Sequence, residues 1–579
     1  MKKYITEREM NKDFLLKDGD YQSTKEALMR IAKMIPDRKI LAELDENLNI
    51  IYHNSVELLK DVENLGDGLL AMGLEGQHIA ISAENSYLYV ISDLAVSGGV
   101  GVVTPIDRDA PEELLTTLLN KCEANAIICS SYVLKKVEKV KENCPLLETI
   151  ITIDKKVGEY PFIKEVMESG TKEENAGKYR AKELDLAAPA KLLFTSGTTG
   201  ANKCVVLSQN NLSANMINCL DTIKAPDKDD NTSMSILPMH HATEINTHIM
   251  ARIAVGRLTY ICDSMKNMMR DIKIFKPTVI TVVPMIANAF HSNIWLNAKK
   301  AGMAEKLKKG IKLCKLLDKI GVNLRPKLFG NVYEPFGGNL RQIVCGGAPL
   351  NPEVVKGMKD LGIYISNGYG ITECGPLISM NADTFKDPYS VGKACPGLEA
   401  KLINVDEDGV GELCVRGKSV SSGYYKDEEA TKAVFMEDGF FNTGDLAKID
   451  AEGKIFMTGR KKNAIVLENG KNISPEEIET EIQNTLPYCK DIVVYVADYD
   501  NGKTVRQVLC AGVYIEDEEY KNNKEKIAED FRNLNKKMPN YKQIEYINLA
   551  EEEYVKTSTR KIKRDLVLSK HNFETGIKL

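Results

Sequence analysis

The chain contains no CxxC pair. Its 13 cysteines stand singly from Cys122 to Cys510, which excludes a zinc-ribbon framework and a disulfide scaffold and leaves reduced thiols as the plain reading. It has no basic excess either: a net charge of −5 argues against a general nucleic-acid binder. Long uninterrupted apolar runs are missing. The most apolar window, Tyr87 to Pro105, is broken by Asp93 and by Gly98, Gly99 and Gly101, so it is expected as buried core and not as a membrane span. The opening, MKKYITEREMNKDF, carries charges throughout, unlike a signal peptide. No repeat of the length used by solenoids or propellers is visible. These absences point to a cytoplasmic globular protein whose membrane contact is at most peripheral.

What is present is enough for more than one core. A chain of 579 residues with 43% apolar and 27% charged side chains is long enough to divide into domains. HIAISAEN (His78 to Asn85), NAIICSS (Asn125 to Ser131), TVITVVP (Thr278 to Pro284) and LRQIVCGGAPL (Leu340 to Leu350) read as short buried strands between amphipathic segments. That alternation predicts an α/β fold with a substantially parallel sheet. Ser169 to Leu186 is polar and reads as a surface connection. From about Glu399 the texture changes to short strands and glycine turns, giving a small β-structured subdomain. After Arg460 a compact charged tail carries its own apolar segments, DIVVYVA and QVLCAGVYI. The expected division is therefore a large N-terminal domain, 1–461, and a small α+β C-terminal domain, 462–579.

Several stretches carry chemistry. KLLFTSGTTGANKCVVLS, Lys191 to Ser208, places a glycine- and hydroxyl-rich loop between two apolar runs. Gly197 and Gly200 allow close backbone approach to a ligand. Thr195, Ser196, Thr198 and Thr199 offer hydroxyls, and Lys203 offers a point charge for a polyphosphate. The spacing is not that of a Walker A loop. In SNGYGITECGP, Ser366 to Pro376, Tyr369 offers a flat face for a purine, Asn367 an amide for its edge and Glu373 a carboxylate for magnesium. In FNTGDLAKID, Asp445 can accept from ribose hydroxyls. KTSTRKIKR, Lys556 to Arg564, adds a cationic cluster near the C-terminus.

Together these ordered stretches resemble the signature set of the AMP-forming acyl- and aryl-CoA synthetases, the superfamily that includes firefly luciferase and peptide-synthetase adenylation domains. The resemblance implies residue roles. Thr195, Ser196, Gly197, Thr198, Thr199, Gly200 and Lys203 would hold the outer phosphates of ATP. Gly347, Ala348, Pro349, Asn367, Gly368 and Tyr369 would sandwich adenine. Thr372 would contact the α-phosphate, Glu373 would hold Mg2+, and Asp445 and Arg460 would take the ribose. Lys561 matches the lysine that stabilises charge during adenylate formation. The same similarity implies a hinge at Lys462, a C-terminal domain that rotates after adenylation, and a loop around Gly470 lining the approach of the thiol.

Two departures stand out. The first motif usually ends in Pro-Lys-Gly and here reads Asn202-Lys203-Cys204; the last usually reads Thr-Gly-Lys and here reads Thr559-Arg560-Lys561. They are the sequence support for the alternative of a nucleotide-binding relative without turnover. LPMHHATEI, Leu237 to Ile245, resembles a segment bordering the acyl pocket of medium- and long-chain fatty acyl-CoA synthetases, which implies that His241 orients the carboxylate or gates the site. A metal held by His240, His241 and His248 is the less favoured reading, because the spacing fits no standard zinc pattern. No aspartate-bearing run of the amino-acid-activating branch and no carrier-protein motif is seen. The expected acceptor is therefore CoA supplied in trans, with an acyl-carrier protein as the alternative.

One basic stretch stands apart. Lys299 to Lys327 holds ten Lys or Arg and two acids. A solvated face is its plain reading and contact with anionic lipid headgroups the other. Leu307, Ile311, Cys314 and Leu317 are expected there as core contacts.

Overall fold

The computed structural model describes residues 16, 19, 21–195, 203–222, 231–382, 384, 386–466, 472–500, 505–556, 562–568 and 572–579. Ser196, Gly197, Thr198, Thr199, Gly200, Gly470, Arg560 and Lys561 lie outside the described residues.

His78–Ser82 shows why the early strands read as continuous apolar runs. Ile79 and Ile81 enter one core, and Ala80 between them enters another. The neighbouring strand divides in the same way, Ile128 to the first core and Ile127 to the second. A strand buried on both faces has no polar alternation to show. Six strands form this sheet, in the spatial order Thr149–Thr152, Ala126–Cys129, His78–Ser82, Val102–Pro105, Pro189–Thr195, Lys203–Ser208. All pairings are parallel except the last, where Pro189–Thr195 and Lys203–Ser208 run antiparallel.

A second sheet of 13 strands runs from Leu398–Ile403 at one edge to Ile50–Asn54 at the other. Its centre is parallel: Val279–Val282, Gln342–Gly346 and Tyr364–Gly370 lie side by side. Beyond Tyr364–Gly370 the pairing turns antiparallel and takes in the short strands after Glu399. A separate four-stranded sheet contains Cys489–Asp500, Val505–Ile515, Tyr546–Ala550 and Ile577–Lys578. Its buried cluster, from Ile473 to Ile547, is drawn wholly from the C-terminal part of the chain. The fold is thus the expected α/β architecture with a separate small C-terminal sheet.

Two local expectations need correction. The connection from Ser169 to Leu186 is not simply surface: it contains the helical turn Lys178–Ala181, and Tyr179 is fully buried against Gly66 and Gly98. Tyr179 is held there because its backbone N–H donates to Asp67 at 2.6 Å and its hydroxyl to the Leu94 carbonyl at 3.2 Å. In the helix Ala304–Asp318, Leu307, Ile311 and Cys314 are buried as expected, but Leu317 is only half-buried. All 13 cysteines are buried. Among the described residues, no helix is long and apolar enough to cross a membrane.

Candidate active site

Two parallel strands end side by side and bring their motifs to one edge. Cys345 pairs with Asn367 and Gly346 with Gly368. Gly347, Ala348 and Pro349 follow at the end of the first strand and are exposed. Gly347 has φ +85°, a conformation that favours glycine. A Cβ on Gly346 would stand 2.9 Å from the Gly368 carbonyl oxygen, so the two strands approach closely only without a side chain there. The carboxyl ends of parallel strands are where open α/β sheets bind ligands.

Tyr369, at the end of the second strand, is fixed by a carboxylate from the antiparallel part of the sheet. Its hydroxyl donates to Asp445 Oδ2 at 2.7 Å. Asp445 is buried, and its other oxygen faces Arg460 Nε at 3.0 Å across the register pair Asp445–Arg460. Burial, with Asp445 nearby, raises the Tyr369 phenol far above its ordinary value, so it is held as a donor. Carboxylate oxygens keep further acceptor capacity in this arrangement.

The six-stranded sheet contributes a second group of candidate residues. Thr195 pairs with Lys203 across the hairpin whose intervening residues carry the glycine loop. Lys203 is half-buried, with its ammonium 4.5 Å from the centre of the Tyr424 ring. The Tyr424 hydroxyl donates to Glu373 Oε1 at 3.0 Å. Backbone bonds hold this junction: Val206 N–H to the Gly423 carbonyl at 3.0 Å, Tyr425 N–H to the Cys204 carbonyl at 2.7 Å, and Ser421 N–H to the Glu373 carbonyl at 2.7 Å. Thr372 opens the single turn Thr372–Cys374 that carries Glu373. The Cys204 side chain points the other way, buried in a core with Leu192 and Val206. Tyr424 is the residue that reading the motifs missed; the signal available was SSGYYKD, paired tyrosines in an otherwise polar turn.

Glu373 fits a magnesium ion in chemistry. It is a hard oxygen donor, half-buried, with one oxygen engaged by Tyr424 and the second outside that bond. Mg2+ is commonly held by one or two carboxylates plus substrate phosphates.

The histidine segment leads into a π-helical stretch, Thr243–Ile249, of the kind frequent at functional sites. His240 and His241 pack with ring centroids 4.1 Å apart. Burial, with Arg108 nearby, lowers the His240 imidazole to about 4. His248 is used otherwise: Nδ1 bonds Glu244 at 2.8 Å and Nε2 bonds Ser233 at 3.1 Å. The three imidazoles are thus not gathered on one metal position.

The C-terminal cationic stretch is held at both feet. Lys556 pairs with buried Asp491 at 2.8 Å, Arg564 pairs with Glu479, and Lys556 bridges to Ile562 as antiparallel backbone. Residues 557–561, with Lys561 among them, fall between these anchors and outside the described set. Lys461, one residue before the expected hinge, reaches buried Glu412 at 2.7 Å.

The family model described as AMP-binding enzyme matches residues 32–425. The chain is 28% identical over 498 residues to long-chain-fatty-acid–CoA ligase 5 of Rattus norvegicus, covering 79% of this chain and 70% of that one. It is 30% identical over 456 residues to peroxisomal long chain acyl-CoA synthetase 6 of Arabidopsis thaliana, covering 74% of this chain and 63% of that one. In structure it resembles the adenylation domain of a carboxylate reductase from Mycobacterium chelonae, with TM-score 0.77 at 20% identity, over 98% of this chain and 92% of that chain.

Proposed function

The chain belongs to the AMP-binding enzyme family, and from that premise we propose that it activates a medium- or long-chain fatty acid with ATP and transfers the acyl group to CoA. The observation that carries this reading is a pair of polar clusters joined by the short stretch from Tyr369 to Glu373: Tyr369 with Asp445 and Arg460, and Glu373 with Tyr424 and Lys203. The relatives' names supply the acid class and the thiol.

A carboxylate is a poor electrophile. In the first step its oxygen attacks the α-phosphorus of ATP and pyrophosphate leaves; in the second a thiol displaces AMP from the acyl-adenylate. Tyr369 with Gly347–Pro349 would hold the base, and Asp445 with Arg460 the ribose. Lys203 and the hydroxyls from Thr195 to Thr199 would grip the outer phosphates. Glu373 would hold Mg2+, whose charge would offset that of the phosphates. Thr372 and Lys561 would act at the α-phosphate, where charge develops; losing one such donor typically costs about 3–4 kcal/mol. His241 would border the acid. After adenylation, rotation of 462–579 about Lys462 would withdraw Lys561 and bring the loop around Gly470 to the thiol.

The test is pyrophosphate release from ATP and Mg2+ across straight-chain acids, with and without CoA, alongside Lys561→Ala. Release that peaks at one chain length, depends on Lys561 and yields acyl-CoA supports the ligase. Release without thioester moves the acceptor to a carrier protein. ATP binding without release for any acid sinks the proposal.

A further inference from the structure

The helix Ala304–Asp318 and the turn that closes it, through Ile320, carry two outward stripes of opposite character. Leu313, Leu316 and Ile320 follow at spacings of three and four, which place them on one face. Leu316 is 62% and Ile320 72% exposed, large values for residues that normally seek the interior. Lys308, Lys312, Lys315 and Lys319 form a second exposed stripe beside them. The inner face is conventional, with Leu307, Ile311 and Cys314 buried. Apolar and basic residues therefore share the solvent side of a helix whose core contacts are already made.

The end of this helix is built to stay in place. Val322 N–H bonds the Leu317 carbonyl and Gly321 N–H the Asp318 carbonyl, both at 3.1 Å, with Gly321 at φ +76°. This is the glycine-terminated closure that satisfies the last carbonyls. Buried Arg325 grips Asp318 through both terminal nitrogens, at 2.7 and 2.6 Å, and bonds the Asp360 carbonyl at 2.9 Å. The segment's two acids are both engaged, Asp318 by Arg325 and Glu305 by Lys308 at 2.8 Å. Within the lysine stripe Lys308 is tied to Glu305 and Lys315 to Asp360 at 2.7 Å, so Lys312 and Lys319 carry its outward positive charge beside the apolar residues, on a chain whose net charge is −5.

We propose that this surface docks the protein on an anionic lipid bilayer. Leu313, Leu316 and Ile320 enter the boundary between headgroups and acyl chains, and the lysine stripe lies on headgroup phosphates. Charge complementarity selects this occupant. A second copy packed antiparallel through this face would set lysine stripe beside lysine stripe, whereas anionic lipid meets both stripes at once. The surface lies outside the nucleotide site, so docking and turnover are separable.

The test is sedimentation of the full chain with phosphatidylcholine vesicles and with vesicles in which part of that lipid is replaced by phosphatidylglycerol. Binding is expected to the phosphatidylglycerol vesicles only, and to weaken with salt. Leu316→Glu with Ile320→Glu, and separately Lys312→Glu with Lys319→Glu, should each lower the partition constant more than about tenfold. Both double variants should keep the parent's thermal midpoint and its turnover of acid supplied in solution. The proposal is overturned by absence of binding to phosphatidylglycerol vesicles, by equal binding to phosphatidylcholine alone, or by binding that both double variants retain. Self-association that Leu316→Glu with Ile320→Glu abolishes, without vesicle binding, would also overturn it and assign the face to a second copy.

Discussion

Tyr424 joins Lys203 to Glu373: its hydroxyl donates to the carboxylate at 3.0 Å while its ring lies 4.5 Å from the ammonium. Burial and the neighbouring Glu373 push the phenol well above its ordinary value, so it stays a donor across the working pH range. Tyr424→Phe keeps the ring under Lys203 and frees the carboxylate. The Mg2+ concentration for half-maximal pyrophosphate release should rise about tenfold, the cost of one hydrogen bond to a charged group. An unchanged Mg2+ dependence would remove Tyr424 from the site.

The role proposed for Asp445 lies at the sugar of the nucleotide. Asp445→Asn should weaken use of ATP about tenfold or more, and should weaken 2′-deoxy-ATP much less. Competition kinetics with the two nucleotides measures the difference. Equal losses for both would mean that Asp445 serves Tyr369 and Arg460 alone.

Lys191 and Asp93 form a fully buried pair at 2.7 Å, with Asn246 on the same ammonium at 2.8 Å. Truncating one partner strands a buried charge, so Lys191→Ala should destabilise by about 3–5 kcal/mol in denaturant titration. Lys191→Met combined with Asp93→Leu should recover most of that loss. A double variant as unstable as the single would show that packing, not charge, sets the cost.

His240 gives the stability a dependence on acid. Its imidazole is lowered from 6.5 to about 4 by burial, with Arg108 adding to the effect and Asp107 lying 3.8 Å away. The unfolded chain takes up this proton near pH 6.5 and the folded chain only near 4. This contribution is therefore complete above pH 6.5 and lost as pH falls through that window, by about 3 kcal/mol. His240→Gln should be less sensitive than the parent to acidification in thermal melts between those limits. Parallel curves would refute the assignment.

The strands were legible because burial on both faces leaves runs such as Ile79–Ile81 and Ile127–Ile128 without interruption. Membership of the family was legible from ordered stretches of unusual chemistry. Tyr424 was not, since its partner Glu373 is 51 positions away in the chain and only folding brings them together. Tyr179 escaped for a related reason: its polar flanks set the local texture, and its burial depends on Gly66 and Gly98 from distant helices. Leu317, expected as a core contact, is only half-buried and its neighbour Leu316 is exposed, because sequence spacing cannot say which of two apolar faces finds a partner.

The burial of every cysteine turns the protein into its own opening gauge. Burial raises the thiols of Cys122, Cys129 and Cys510 to about 12, and a thiol held so far from ionisation is a poor nucleophile. A sulfhydryl reagent should therefore modify the chain at the rate at which parts of it open. Cys489 and Cys510 sit in the small C-terminal sheet and the remaining thiols elsewhere. Peptide-resolved labelling would then clock the loosening of that sheet separately from the rest, without adding any probe to the chain.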